Sequence, residues 1–81
     1  MAHPNQMSLS ELIAEEHAII LSFGNGRAET ARLASLGFTP GAKVDMTQNY
    51  GRGPLIVTVR GTRVALGRGE ASKILVERNK E

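Results

Sequence analysis

Residues 24–29, Gly-Asn-Gly-Arg-Ala-Glu, lie between an apolar run and an Ala- and Leu-rich run, and they form the sequence's first candidate for chemistry. A Gly-x-Gly turn between a strand and a helix holds the pyrophosphate of a dinucleotide, because glycine lets the backbone approach and the helix start supplies N–H groups. The position that needs the third glycine is Glu29. Its carboxylate repels a pyrophosphate, and 81 residues leave no room for a second nucleotide-binding half. Gly51-Arg52-Gly53-Pro54 and Gly67-Arg68-Gly69-Glu70 place arginines beside glycines, where exposed N–H groups could hold an anion. Hairpin turns with solvated arginines have the same composition, and that is the expectation for both.

Metal and acid–base sets are thin. His3 and His17 are the two histidines, and neither has a carboxylate or second histidine at a convincing ligand spacing. His3 completes a square-planar nitrogen set for copper or nickel only while Met1 stays, and the small Ala2 favours loss of Met1. His17 opens an apolar stretch and reads as a structural histidine with its ring satisfied. Glu15 and Glu16 are adjacent, a placement from which two carboxylates rarely converge on one substrate, so they read as a polar turn. The serines lack a Gly-x-Ser-x-Gly elbow, and there is no cysteine to act as nucleophile, thiolate ligand or disulfide. The expectation is no catalytic residue, no metal site and no cofactor.

The elements that must position these residues belong to one domain, since 81 residues support a single core. Residues 1–7 have no periodicity and read as a flexible tail, with the domain over 8–78 and a short tail at 79–81. Ser8 or Ser10 can start one or two helical turns, with Glu11 near the positive end of the dipole. Residues 17–23, His-Ala-Ile-Ile-Leu-Ser-Phe, are a buried strand, and 26–36 are the one substantial helix, capped by Asn25 or Gly26 and ended by Gly37. Phe38 stands where it pairs with Leu33 in a Schellman ending, and Thr39-Pro40-Gly41 fits a turn with proline second and glycine third.

Residues 42–50 alternate so that Val44 and Met46 face inward. They should pair with 55–60 across the turn at 51–54. Strands at 63–66 and 74–77, with a helical turn from Gly69, complete the pattern. Five short strands and one helix inserted after the first make a mainly β chain, a small, partly open antiparallel barrel.

Charge is uneven. Residues 1–40 carry four glutamates against two arginines, and residues 41–81 carry eight basic against four acidic side chains, so the halves are −2 and +4. That bias favours acidic partners without naming them. A nucleic-acid-binding barrel needs aromatic platforms, and with Phe23 and Phe38 read as core it has Tyr50 with Arg52, Arg60 and Arg63. It is the alternative function rather than the favoured one. The longest apolar run, Ala18 to Leu21, is far shorter than the ~20 residues of a membrane-spanning helix, and the N-terminus lacks signal-peptide order, so a cytoplasmic protein is expected.

Arg-Leu-Ala-Ser-Leu-Gly-Phe-Thr-Pro-Gly-Ala-Lys-Val at 32–44 and Gly-Pro-Leu-Ile-Val-Thr-Val-Arg-Gly-Thr-Arg-Val-Ala-Leu-Gly-Arg-Gly-Glu-Ala-Ser-Lys-Ile-Leu-Val-Glu at 53–77 together resemble the FeoA family, the small ferrous iron transport protein A. The resemblance covers roughly residues 8 to 78, with Ile-Ala-Glu-Glu-His-Ala at 13–18 standing where that family usually has a Pro-Gly or similar turn. It implies an SH3-like β-barrel, no catalysis, and accessory or regulatory work beside FeoB, the membrane ferrous iron transporter with a GTPase domain. Such a protein is peripheral to the membrane through that partner, with no nucleic acid expected and a homo-oligomer open. Leu36, Phe38, Tyr50 and Arg52 are the expected partner contacts.

Overall fold

A computed structural model describes residues 5–79. In chain order the elements are β1 (Gln6–Ser8), a 3-10 turn (Leu9–Glu11), β2 (His17–Phe23), α1 (Arg27–Ser35), β3 (Lys43–Gln48), β4 (Leu55–Val59), β5 (Thr62–Leu66), α2 (Arg68–Ala71) and β6 (Ile74–Asn79). All pairings are antiparallel, in the order β1-β6-β2-β3-β4-β5. The mainly β expectation holds, with six strands in place of five. The added strand is β1, inside the stretch read as tail, and the main helix therefore follows the second strand. Gln6, Met7 and Ser8 have no pattern of their own, but β6 offers them an edge, pairing Met7 with Val76. Residues 1–4 of that tail, with His3, lie outside the described residues.

One face of the sheet is apolar throughout. Ala18, Ile20, Val44, Met46, Leu55, Val57, Val59, Val64, Leu66, Ile74 and Val76 all join one buried cluster, closed by Leu9, Leu12, Leu33, Phe38 and Ala71. A six-stranded sheet can put one face into one cluster only by curling, and two irregularities in register help it curl, between Ile20 and Ser22 and between Met46 and Gln48. The result is a barrel whose β1 and β5 margins remain unpaired with each other.

The helix α1 ends as its residues demand. Phe38 N–H donates to Leu33 O and Gly37 N–H to Ala34 O, both at 3.0 Å, which is the Schellman pair, and Gly37 sits at φ +102° where a β-carbon is unwelcome. Ala42 N–H then closes on Thr39 O at 2.9 Å, with Gly41 at φ +91°, so Thr39-Pro40-Gly41 is the expected turn. Gly26 is the N-cap, in extended conformation. Asn25 instead bonds Glu29 Oε1 and the Glu70 carbonyl, both at 3.2 Å, tying α1 to α2. The turns expected after Ser8 shrink to one 3-10 turn, and Ser8 makes no capping bond because its hydroxyl pairs with Ser10 at 2.7 Å.

Candidate functional site

A small barrel meets a partner through the side chains it exposes on a rigid backbone. Among large apolar side chains, Tyr50 is 77% exposed and Ile13 62%. Tyr50 stands in the β3–β4 loop, residues 49–54, with Arg52 and Pro54, both also exposed. Loops of this composition usually move, but this one is fastened at two points. Asn49 Nδ2 donates to Leu12 O at 2.7 Å and to Ser10 O at 3.1 Å. Its Oδ1 accepts Gly51 N–H at 2.9 Å and the Arg68 guanidinium at 2.8 Å. Arg68 Nε also reaches Gly53 O at 3.3 Å. Every donor and acceptor of the Asn49 carboxamide is used, so the loop is held against both the 3-10 turn and α2 while Tyr50 points outward. Sequence reading missed Asn49 and Arg68 as its organisers, because Asn49 sits in no motif and the Gly-Arg-Gly-Glu stretch, expected to be a hairpin turn with a solvated arginine, is instead the start of α2 with a half-buried Arg68.

Leu36 and Phe38 belong elsewhere. Phe38 is fully buried and presents no surface, since its ring fills the core below the Schellman ending, and Leu36 is half-buried against the same core. Their corner lies beside the β4–β5 turn, where Arg60 Nε donates to Gly37 O at 3.3 Å and its NH2 group to Thr39 Oγ1 at 3.0 Å. Tyr50 and Arg52 lie at the other end of β4, a strand length of roughly 15 Å away. The same separation divides the imagined nucleic-acid platform, putting Arg60 and Tyr50 at opposite ends of the strand.

His17 Nδ1 bonds Asp45 Oδ1 at 2.6 Å across the β2–β3 register pair, so one ring nitrogen is held by a carboxylate that spacing alone does not reveal. Glu16 accepts Ile13 N–H at 3.0 Å and Arg78 at 3.2 Å, while Glu15 takes positive φ in the turn between them. Among the described residues no three His, Cys, Asp or Glu side chains come together to hold a metal ion. No helix among them is long and apolar enough to cross a membrane.

Comparison with known proteins fits this geometry. The FeoA domain family model matches residues 7–78. The chain belongs to the FeoA family. A protein of Methanocaldococcus jannaschii provisionally named Fe(2+) transport protein A is 37% identical over 62 residues, 76% of this chain and 74% of that one. The crystal structure of an iron uptake regulatory protein, FeoA, superimposes with a TM-score of 0.86 at 31% identity, covering 91% of this chain and 99% of the other. Stenotrophomonas maltophilia FeoA, solved with zinc and described as an SH3 domain protein suggested to activate ferrous iron transport, is 37% identical with a TM-score of 0.77, covering 88% and 89% of the two chains. The barrel of this FeoA-family chain is thus an SH3-like domain, and ferrous iron transport is the system to which the family relates.

Proposed function

We propose that this chain is a non-catalytic cytoplasmic accessory protein of ferrous iron uptake, acting by protein–protein contact with a FeoB-type transporter and its cytosolic GTPase domain. Family membership supports the iron-uptake system. The observation that carries the mode of action is the β3–β4 loop, in which Tyr50 is 77% exposed on a backbone pinned by Asn49 and Arg68. An amphipathic ring held at low entropic cost is the kind of anchor protein interfaces use. Tyr50 and Arg52 make the contact; Leu36 contributes from the rim of the opposite corner, and Phe38 only by holding that corner in shape.

The test is ferrous iron uptake in cells lacking the protein, together with co-purification of the full chain with the transporter's cytosolic domain. Reduced uptake and a stable association are expected. Normal uptake without association would overturn the reading.

A further inference from the structure

The strand β5 is the last in the sheet, and its free side follows from the hydrogen-bond alternation. In an antiparallel ladder each residue points its N–H and C=O to the same side, and successive residues alternate sides. Met46 N–H donates toward β2, to Glu16 O at 2.9 Å, so its neighbour Asp45 faces β4. Asp45 pairs with Thr58, which leaves Val57 and Val59 facing β5, where they pair with Val64 and Thr62. Arg63 and Ala65 therefore direct their N–H and C=O groups away from the sheet. Among the described residues neither backbone has a partner on that side, and both residues are exposed. A row of unpaired groups is a template for another strand.

Charge on this edge is one-sided. From residue 46 to residue 69 the sequence has no Asp or Glu and four arginines, Arg52, Arg60, Arg63 and Arg68. Arg63 is on β5, Arg60 in the turn that opens it, Arg68 just past its end, and Arg52 in the adjoining loop that Arg68 holds through Gly53. The ion pairs among the described residues are His17–Asp45, Arg32–Glu70 and Arg78–Glu16, so none of the four arginines is neutralised. Arg60 and Arg68 bond only uncharged acceptors.

The geometry points to the free edge of β5 as the site that takes up an extended acidic segment of a partner protein as an added strand. The Arg63 and Ala65 backbones supply the ladder, and the four arginines meet the carboxylates. This inference deepens the reading of the chain as an interaction module and rests on it. A nucleic acid matches the charge but not the alternating donors and acceptors of a strand edge, and Tyr50 is the one exposed aromatic ring available for stacking.

Amide hydrogen exchange of the isotope-labelled full chain tests the edge, using a short peptide that alternates Glu with Val. In the free protein Arg63 and Ala65 amides should exchange quickly and Val64 slowly; the peptide should protect Arg63 and Ala65 selectively. The same peptide N-methylated on alternate residues should lose binding, Arg63→Glu should weaken it at least about tenfold, and Ala65→Pro should abolish it without breaking the β4 ladder. The substituted peptide and Arg63→Glu keep the test decisive if Ala65→Pro fails to fold. Protection of Arg63 and Ala65 without peptide, undiminished binding of the methylated peptide, or stronger protection of these amides by a short single-stranded RNA or DNA would each overturn the inference. If the peptide fails while the transporter domain still co-purifies, only the edge mode falls; if both fail, the module reading falls with it.

Discussion

The Asn49 side-chain oxygen accepts the Arg68 guanidinium at 2.8 Å, which fastens the β3–β4 loop to the start of α2. Because the same carboxamide also caps two carbonyls of the 3-10 turn, Asn49→Ala removes bonds in three directions at once. The expected loss is about 2–3 kcal/mol, from several half-buried bonds and two stranded carbonyls. Asn49→Asp keeps the acceptor but sets a carboxylate against Ser10 O and Leu12 O, and should cost at least as much. Urea denaturation measures both, and a loss for Asn49→Ala under about 0.5 kcal/mol would contradict the role assigned to it.

Gly37 carries two constraints. Its φ is +102°, and a β-carbon added there would meet Arg60 Cδ at 3.2 Å. Gly37→Ala should destabilise by about 1–3 kcal/mol through backbone strain and crowding. In an Arg60→Ala background the crowding disappears while the strain remains, so the penalty should shrink without vanishing. A double-mutant cycle on unfolding free energies reads the difference directly; an unchanged penalty would show that the arginine stem gives way freely.

Glu15 occupies a conformation suited to glycine, with φ 75°, in a turn closed by Glu16 N–H on Ile13 O at 3.1 Å. Its exposed side chain has no hydrogen-bond or ion-pair partner among the described residues, so it contributes little to offset left-handed strain of about 1 kcal/mol. Glu15→Gly should therefore raise stability by up to about 1 kcal/mol, less the entropy that glycine adds to the unfolded chain. A higher urea midpoint with unchanged slope is the expected result, and a lower midpoint would refute it.

The features legible in the sequence were those that one or two local residues determine. Gly37, Phe38 and the Thr39-Pro40-Gly41 turn are local, since glycine at positive φ and proline at fixed φ leave few alternatives. Alternation at Val44 and Met46 exposed the core face of β3 just as directly. β1 was illegible because Gln6–Ser8 become a strand only when β6 lies beside them. The anchoring of the loop was illegible for a similar reason. Asn49 finds Leu12 37 residues away and Arg68 19 away, and an asparagine before a tyrosine predicts neither. Arg60 reads as a neighbour of Tyr50 in a nucleic-acid platform because nothing local reveals that the Gly37 carbonyl holds it at the opposite end of β4.

Tyr50 and Phe38 separate binding from folding. Both are aromatic and both stood as partner contacts on sequence grounds, yet Tyr50 is 77% exposed and Phe38 has no exposed surface. Tyr50→Ala removes a ring that water already surrounds, so unfolding free energy should change by less than about 0.5 kcal/mol. Association with the transporter's cytosolic domain should nonetheless weaken at least about tenfold if the ring is an anchor, as truncation of a central aromatic commonly does. Phe38→Ala empties the core beneath the corner and should cost about 3–5 kcal/mol, a large share of the stability of a domain this small. Any binding it loses should then track the folded fraction. Denaturation curves for both variants, set beside co-purification yields corrected for folded protein, distinguish the two effects. A Tyr50→Ala protein that binds normally would move the contact away from the β3–β4 loop.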